Sequence, residues 1–249
     1  MLDGKRIIIT GAAQGIGVVM AQSFAAMGAK VTLTDIADPS AAAEKITAAG
    51  GDAIAVQGDV TSLSECEAVV AATEEAFGGL DGLVCNAALF ATLPAQPYDE
   101  IEEDMWDKVM AVNVKGPWLG TRAAVPAMER SGGGSIVMIS TNRIFHGYPD
   151  LLHYDASKGA VLTMVRSLIR ELGPKNIRVN TIAPGLTMSE GVLAREGIQD
   201  RKGAIAAVRS LARDQLPEDL VGPTAFFLSD HAGFVTGQSL GVDGGGVIH

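Results

Sequence analysis

Short apolar, β-branched runs recur along the chain, separated by longer stretches in which apolar residues return with helical spacing. The runs are RIIIT at 6–10, KVTLTD at 30–35, AIAVQGD at 53–59, GLVCNA at 82–87, SIVMIS at 135–140, RVNTIAP at 178–184 and SLGVDG at 239–244. Several are apolar at consecutive positions, which implies strands covered on both faces, and their alternation with helices predicts a mostly parallel sheet. The expected fold is α/β, a doubly wound Rossmann fold with a seven-stranded sheet and helices on both faces. Ser62 and Glu65 have capping-box spacing ahead of the helical stretch CEAVVAATEEAF, and Gly78 and Gly79 supply its stop. No linker, repeat or low-complexity tract interrupts the pattern, so residues 1–249 read as a single domain. One stretch departs from it: 186–216 is long, polar and partly helical where a short connection is expected, the mark of a substrate-binding lid.

Composition changes this picture mainly by exclusion. With 19 basic against 29 acidic residues and a net charge of −10, a nucleic-acid backbone would be repelled. Cys66 and Cys85 are the only cysteines and lie in no metal-binding or disulfide pattern, so two buried thiols and no metal site are expected. No run approaches the ~18 apolar residues of a membrane span, and the first apolar stretch is too short for a signal peptide. A cytoplasmic protein acting on a small molecule, without membrane or nucleic-acid partners, is the expectation.

TGAAQGIG at 10–17 follows the first strand and opens a helix. Gly11 permits the tight turn, Gly15 lets the backbone approach a pyrophosphate, and Gly17 allows close packing of the helix. Asp35 ends the next strand, where a carboxylate accepts both hydroxyls of an adenosine ribose and repels a 2′-phosphate. Gln14 and Ile36, placed to offset that repulsion, carry no positive charge, so NAD is expected over NADP. Asp59 and Val60 close the third strand and Asn86 the fourth, at the sheet edge where such a cofactor would lie; ordinary capping and turn roles are the alternative for these three. Tyr154 and Lys158 stand four residues apart, on one face of a helix. A phenol with a pKa near ~10 is a poor base at neutral pH, but an adjacent ammonium and an oxidised nicotinamide both favour phenolate.

Together with GDV at 58–60, NAA at 86–88, MAVNVKG around Asn113, SIVMIST at 135–141, YDASK at 154–158, RVNTIAPG at 178–185 and VDGG at 242–245, these motifs closely resemble the short-chain dehydrogenase/reductase family over nearly the whole chain. The resemblance implies Tyr154 as general acid and base, Lys158 holding the nicotinamide ribose, and Asn113, in the middle of a long helix, holding a proton-relay water. It implies that Ile16 shares the cofactor turn and that Pro184, Gly185 and either Thr187 or Ser189 border the nicotinamide. A hydroxyl thirteen residues before the tyrosine orients the substrate; the family has serine there and this chain has Thr141, with Ser140 beside it as the alternative. Strand alternation lets only one of the two face Tyr154, and the ungapped spacing selects Thr141. CNAA at 85–88 also departs from the family's NNAG, losing its glycine.

The activity implied is that of an NAD-dependent short-chain alcohol dehydrogenase or carbonyl reductase acting on a secondary alcohol or its ketone, with aryl or ring-bearing alcohols among the candidates, as a homotetramer. Reduction of a 3-oxoacyl thioester is the alternative within the chemistry, and a cofactor-binding subunit without catalysis the alternative outside it. Arg143, two residues past Thr141, has a guanidinium fork suited to an acidic or polar substrate group, against the plainer readings of a solvated arginine or an internal ion pair. Phe90, Phe145 and Tyr148 are candidate apolar walls for a ring.

Overall fold

The computed structural model describes residues 1–195 and 198–247, and side chains outside 196–202 within that range. Seven strands form one sheet: β1 (Arg6–Thr10), β2 (Lys30–Asp35), β3 (Asp52–Gln57), β4 (Gly82–Cys85), β5 (Gly134–Ile139), β6 (Ile177–Pro184) and β7 (Ser239–Val242). Their order is β3-β2-β1-β4-β5-β6-β7, and every neighbouring pair is parallel, so the sheet is parallel throughout rather than mostly. β1 pairs with both β2 and β4, which makes the junction beside it the point where strand order reverses. Such sheets open a crevice at the carboxyl ends of the strands there.

Period-two alternation explains how one apolar run serves two cores. Ile7 and Ile9, with Val31, Leu33, Val84 and Val137, pack under α1 (Gly15–Ala26) and α2 (Ser40–Ala48). Ile8 faces the other way and joins Leu83, Ile136, Met138 and Val179 in a core covered by α3 (Leu63–Phe77). The helical stretch Glu103–Arg130 divides into α4 (Glu103–Met110), a π turn at Ala111–Lys115 and α5 (Gly116–Arg130), whose buried face completes the second core.

Several sequence expectations are adjusted. β4 ends at Cys85 instead of reaching Ala87, because the backbone N–H groups of Asn86 and Ala87 turn to the Thr10 hydroxyl at 3.0 Å each. Only half of the capping box forms: the Ser62 hydroxyl accepts from the Glu65 N–H at 3.4 Å, while the Glu65 carboxylate accepts from the Asp59 N–H at 2.8 Å. Gly78, in the left-handed region with φ of 83°, ends α3 as expected. Cys85 is buried, but Cys66 is only half-buried.

After β5 come α6 (Arg143–His146) and the 21-residue α7 (Leu152–Leu172). After β6, the excursion 186–216 carries α8 (Glu190–Leu193) and α9 (Ile198–Ala207); its residues 196–197 lie outside the described residues. A β-bridge between Thr187 and Gln215 closes its base. α10 (Val221–Leu228) then returns the chain beneath the first core and leads to β7. No helix among the described residues is long and apolar enough to cross a membrane.

Candidate active site

The Gly-rich turn crosses the carboxyl end of β1 under tight constraint. Gly11 has φ of +66°, and a Cβ there would stand 2.8 Å from the Ala87 Cα. A Cβ on Gly17 would stand 2.2 Å from the Gly11 carbonyl oxygen, so the close packing at Gly17 is against the turn itself. Around Gly15 the nearest atom a Cβ would meet is the Ser189 Cβ, at 3.8 Å. Gln14 flanks the start of α1 without a side-chain cap, which leaves the first backbone N–H groups of that helix available to an anion. Asn86 braces the turn from β4, its amide donating to the carbonyls of Thr10 at 2.9 Å and Gly11 at 3.0 Å.

Asp35 accepts from the N–H groups of Ala13 and Ala37, each at 3.1 Å, and takes part in no ion pair among the described residues. Its negative charge is therefore not neutralised by a neighbour. Asp59 is used locally, accepting from the N–H and hydroxyl of Thr61 at 2.8 Å each, and with Val60 it borders a small separate hollow at the end of β3. These groups fit a dinucleotide laid across the switch point: an open helix terminus for phosphates and an unpaired carboxylate at the end of β2 for a ribose.

Beside this edge lies a cavity of about 960 Å³. Ile16, Asn86, Thr141, Tyr154, Lys158, Pro184, Gly185, Thr187 and Ser189 share its wall, as do Phe90, Arg143 and Tyr148. Val192, Arg195, Ile205 and Val208 of the 186–216 excursion cover it. Phe145 does not line the cavity: it is 41% exposed, so its expected place in an apolar wall is corrected. In the four-residue helix Arg143–His146, the first and last side chains turn to the cavity and Phe145 between them does not.

Tyr154 and Lys158 project from the first turns of α7, 6% and 3% exposed. The Lys158 ammonium donates to the Ile139 carbonyl at 2.8 Å and stands 5.8 Å from the Tyr154 ring centre. Burial lowers its pKa to about 8. The expected depression of the phenol by the ammonium is not what the protein alone produces. Burial, with the Phe90 ring 4.7 Å away, raises the Tyr154 pKa well above the ordinary value; the Thr141 hydroxyl opposes that rise, Asp155 adds to it and Arg143 reduces it. Desolvation outweighs the other influences on the phenol.

Thr141 and Ser140 point apart, as alternation requires. Ser140 donates to the Lys158 carbonyl at 3.0 Å, whereas the Thr141 hydroxyl lies against the phenol, accepts from the Arg143 N–H at 3.2 Å and reaches the Pro184 carbonyl at 3.4 Å. Asn113 is fully buried behind the cavity. Its side-chain oxygen accepts from the Leu89 N–H at 2.8 Å, and its amide donates to the Leu89 carbonyl at 3.2 Å and to Ser157 Oγ at 3.1 Å. Ser157 donates in turn to the Tyr154 carbonyl at 2.7 Å. The Asn113 side chain is thus structural, and Pro117, four residues on, has no N–H to offer its backbone carbonyl.

Arg143 is turned inward to its own chain. Its Nε stands 3.0 Å from one Asp155 oxygen and donates to the other at 3.1 Å, and Nη2 donates to the carbonyls of Tyr148, at 3.1 Å, and Pro149. The two-pronged grip on substrate is replaced by the internal ion pair. Thr187 donates to the Gly185 carbonyl at 3.2 Å, and Ser189 opens α8 without a side-chain cap.

Three cavity residues escaped the sequence reading. Asp243 accepts from Asn142 at 2.6 Å and from the N–H groups of Gly245, Gly246 and Val247; burial pushes its carboxyl up, but these bonds outweigh it and hold the pKa below normal. VDGG contained the signal, an acid before glycines whose N–H groups fold back on it. Arg195 lies over the Phe90 ring at 5.2 Å and donates to the carbonyls of Phe90 and Leu93, fastening the covering segment to the opposite wall. Arg209, buried, donates to the Leu186 carbonyl at 2.9 Å. Neither arginine lies in a motif that marks its partner.

The chain is similar over residues 11–246 to the family described as enoyl-(acyl carrier protein) reductase. It is 38% identical to an uncharacterized oxidoreductase of Thermotoga maritima, over 98% of this chain and 97% of the relative. It is 37% identical to galactitol 2-dehydrogenase of Agrobacterium fabrum, over 98% of each chain. A crystal structure from Sinorhizobium meliloti 1021, provisionally described as a short-chain alcohol dehydrogenase, superposes with a TM-score of 0.89 at 32% identity, covering 98% of this chain and 96% of that one.

Proposed function

Because the chain belongs to the short-chain dehydrogenase/reductase family and is an oxidoreductase using a nicotinamide cofactor, we propose that it moves a hydride between NAD and a secondary alcohol or its ketone. The observation that carries this reading is the convergence of Tyr154, Thr141 and Lys158 on one cavity at the carboxyl edge of the sheet. A bound nicotinamide dinucleotide supplies the hydride acceptor or donor. In oxidation, the Tyr154 phenolate oxygen takes the proton of the substrate hydroxyl as the carbinol C–H leaves as hydride; in reduction, the phenol returns it to the carbonyl oxygen. Thr141 holds that oxygen toward the phenol. Lys158 binds ribose and lends positive charge, and the Asn113 carbonyl holds the water that refills the proton.

NAD preference rests on Asp35, whose unneutralised carboxylate suits ribose hydroxyls and repels a 2′-phosphate. The apolar side chains of Phe90, Leu93, Leu151 and Val192 on the cavity wall favour a substrate with a ring or carbon skeleton of similar bulk. A cytoplasmic homotetramer is the matching assembly, which light scattering would check. The deciding experiment is a panel of 1-phenylethanol, cyclohexanol, galactitol and an acetoacetyl thioester, followed by the absorbance of reduced nicotinamide with NAD(H) and NADP(H) in parallel. Turnover of an alcohol with NAD(H) preferred is expected. Thioester reduction alone, or better activity with NADP(H), would contradict the proposal.

A further inference from the structure

Two charges of opposite sign flank Tyr154 from different elements. Asp155 follows it on the first turn of α7, and Arg143 comes from α6, beside Thr141. They are paired, with side chains 20% and 19% exposed, so solvent screens them only partly. The same guanidinium holds the carbonyls of Tyr148 and Pro149 and lies 5.4 Å from the Tyr148 ring centre. One arginine therefore joins three things: the helix that carries the phenol, the segment that forms the cavity mouth, and, through its own N–H, the Thr141 hydroxyl. The carboxylate is incompletely satisfied, since its buried Oδ1 accepts no hydrogen bond among the described residues.

We infer that Arg143 and Asp155 form a charge couple that positions the cavity wall at Tyr148–Asp150 and balances the field on the Tyr154 oxygen. The inference rests on the reading of Tyr154 as the acid and base. Other groups face the phenol without duplicating the couple. Lys158 and His153 share its helix, Lys158 directing its proton to Ile139 and His153 being buried with neither ring nitrogen hydrogen-bonded. The Thr141 hydroxyl comes from just past the end of β5, Arg195 lies over the Phe90 ring, and His146 is stacked on the Tyr148 ring that Arg143 also approaches. Asp155 disfavours the phenolate and Arg143 favours it, so removing either charge moves Tyr154 in opposite directions.

That opposition separates the couple from a merely structural ion pair, whose loss would act in one direction from either side. In Asp155→Asn the acid limb of the kcat/KM profile, measured with NAD and 1-phenylethanol or galactitol, should move to lower pH by about one unit; in Arg143→Met it should move up by a similar amount. Arg143→Lys keeps the charge but loses the fork, so its profile should stay near wild type while KM rises severalfold. A second readout needs no turnover. With ¹³C at tyrosine Cζ, the Tyr154 resonance, assigned by its loss in Tyr154→Phe, should begin to titrate earlier in Asp155→Asn and later in Arg143→Met than in wild type. Shifts of one sign in both variants, or no shift in either, would overturn the inference. The resonance order intact in a protein that transfers no hydride would support the couple and count against the proposed function.

Discussion

Ser140 and Thr141 are adjacent hydroxyls that the structure uses differently, one on the Lys158 carbonyl and one beside the phenol. Thr141→Val keeps the shape and removes the donor, and turnover should fall by about 10²-fold, the usual cost of losing one positioned donor at a reacting oxygen. Ser140→Ala should leave turnover within about tenfold while lowering stability by about 1 kcal/mol for the lost buried bond. Steady-state rates and urea unfolding of the two variants check this, and the reverse pattern would show the assignment inverted. Lys158 makes a second residue-level prediction. Its folded pKa of about 8 lies below the unfolded 10.5, so burial of the charge costs stability in full below pH 8, and that cost disappears by about pH 10.5. Relative to Lys158→Met, the wild type should gain roughly 3 kcal/mol of unfolding free energy across that window. A flat difference would mean that the ammonium is well solvated. The Tyr154–Lys158 pairing was legible because i, i+4 spacing alone puts both side chains on one face. The partner of Arg143 was not, since Asp155 lies twelve residues on and reaches it only through the placement of α6 on α7.

At the scale of elements, the turn into α1 was readable as a phosphate-type turn but not as a joint with β4. Asn86 and Gly17 meet there, and an added methyl at 17 would collide with the Gly11 carbonyl and approach the Asn86 amide to 2.8 Å. Gly17→Ala should therefore cost about 1–3 kcal/mol by overpacking and weaken NADH binding further by displacing the turn. Urea unfolding and fluorescence titration with NADH measure the two effects; unchanged affinity would separate the turn from the cofactor. The π turn at Ala111–Lys115 escaped the periodicity argument, because an apolar stripe passes through a one-residue expansion with little change. Pro117 was the available signal: it removes the N–H that the Asn113 carbonyl would use, and a helix that continues past it must adjust. The capping box was half right because Glu65 found a nearer N–H, at Asp59, than the one its spacing implies.

For the molecule as a whole, consecutive apolar positions in the strands specified a sheet covered on both faces, and the two cores separated by Ile8 against Ile7 and Ile9 are that pattern in three dimensions. The segment 186–216 announced itself by length and polarity, yet what it covers depends on Arg195 gripping the carbonyls of Phe90 and Leu93, far away in the sequence, while Arg209 ties the segment back to its own start at the Leu186 carbonyl; no local pattern encodes either contact. The fold brings a glycine turn from the first strand, a hydroxyl from the fifth and a phenol from the helix after it to one carboxyl edge. On the proposed function, this convergence makes Tyr154 the proton carrier for hydride transfer. The most direct test is turnover of Tyr154→Phe against wild type on an alcohol the wild type oxidises, at saturating NAD, with folding verified by circular dichroism and cofactor affinity by NADH titration. Turnover should fall by about 10²–10⁴-fold with affinity for NADH retained; near wild-type turnover in the folded, cofactor-binding variant would rule out Tyr154 as the proton carrier.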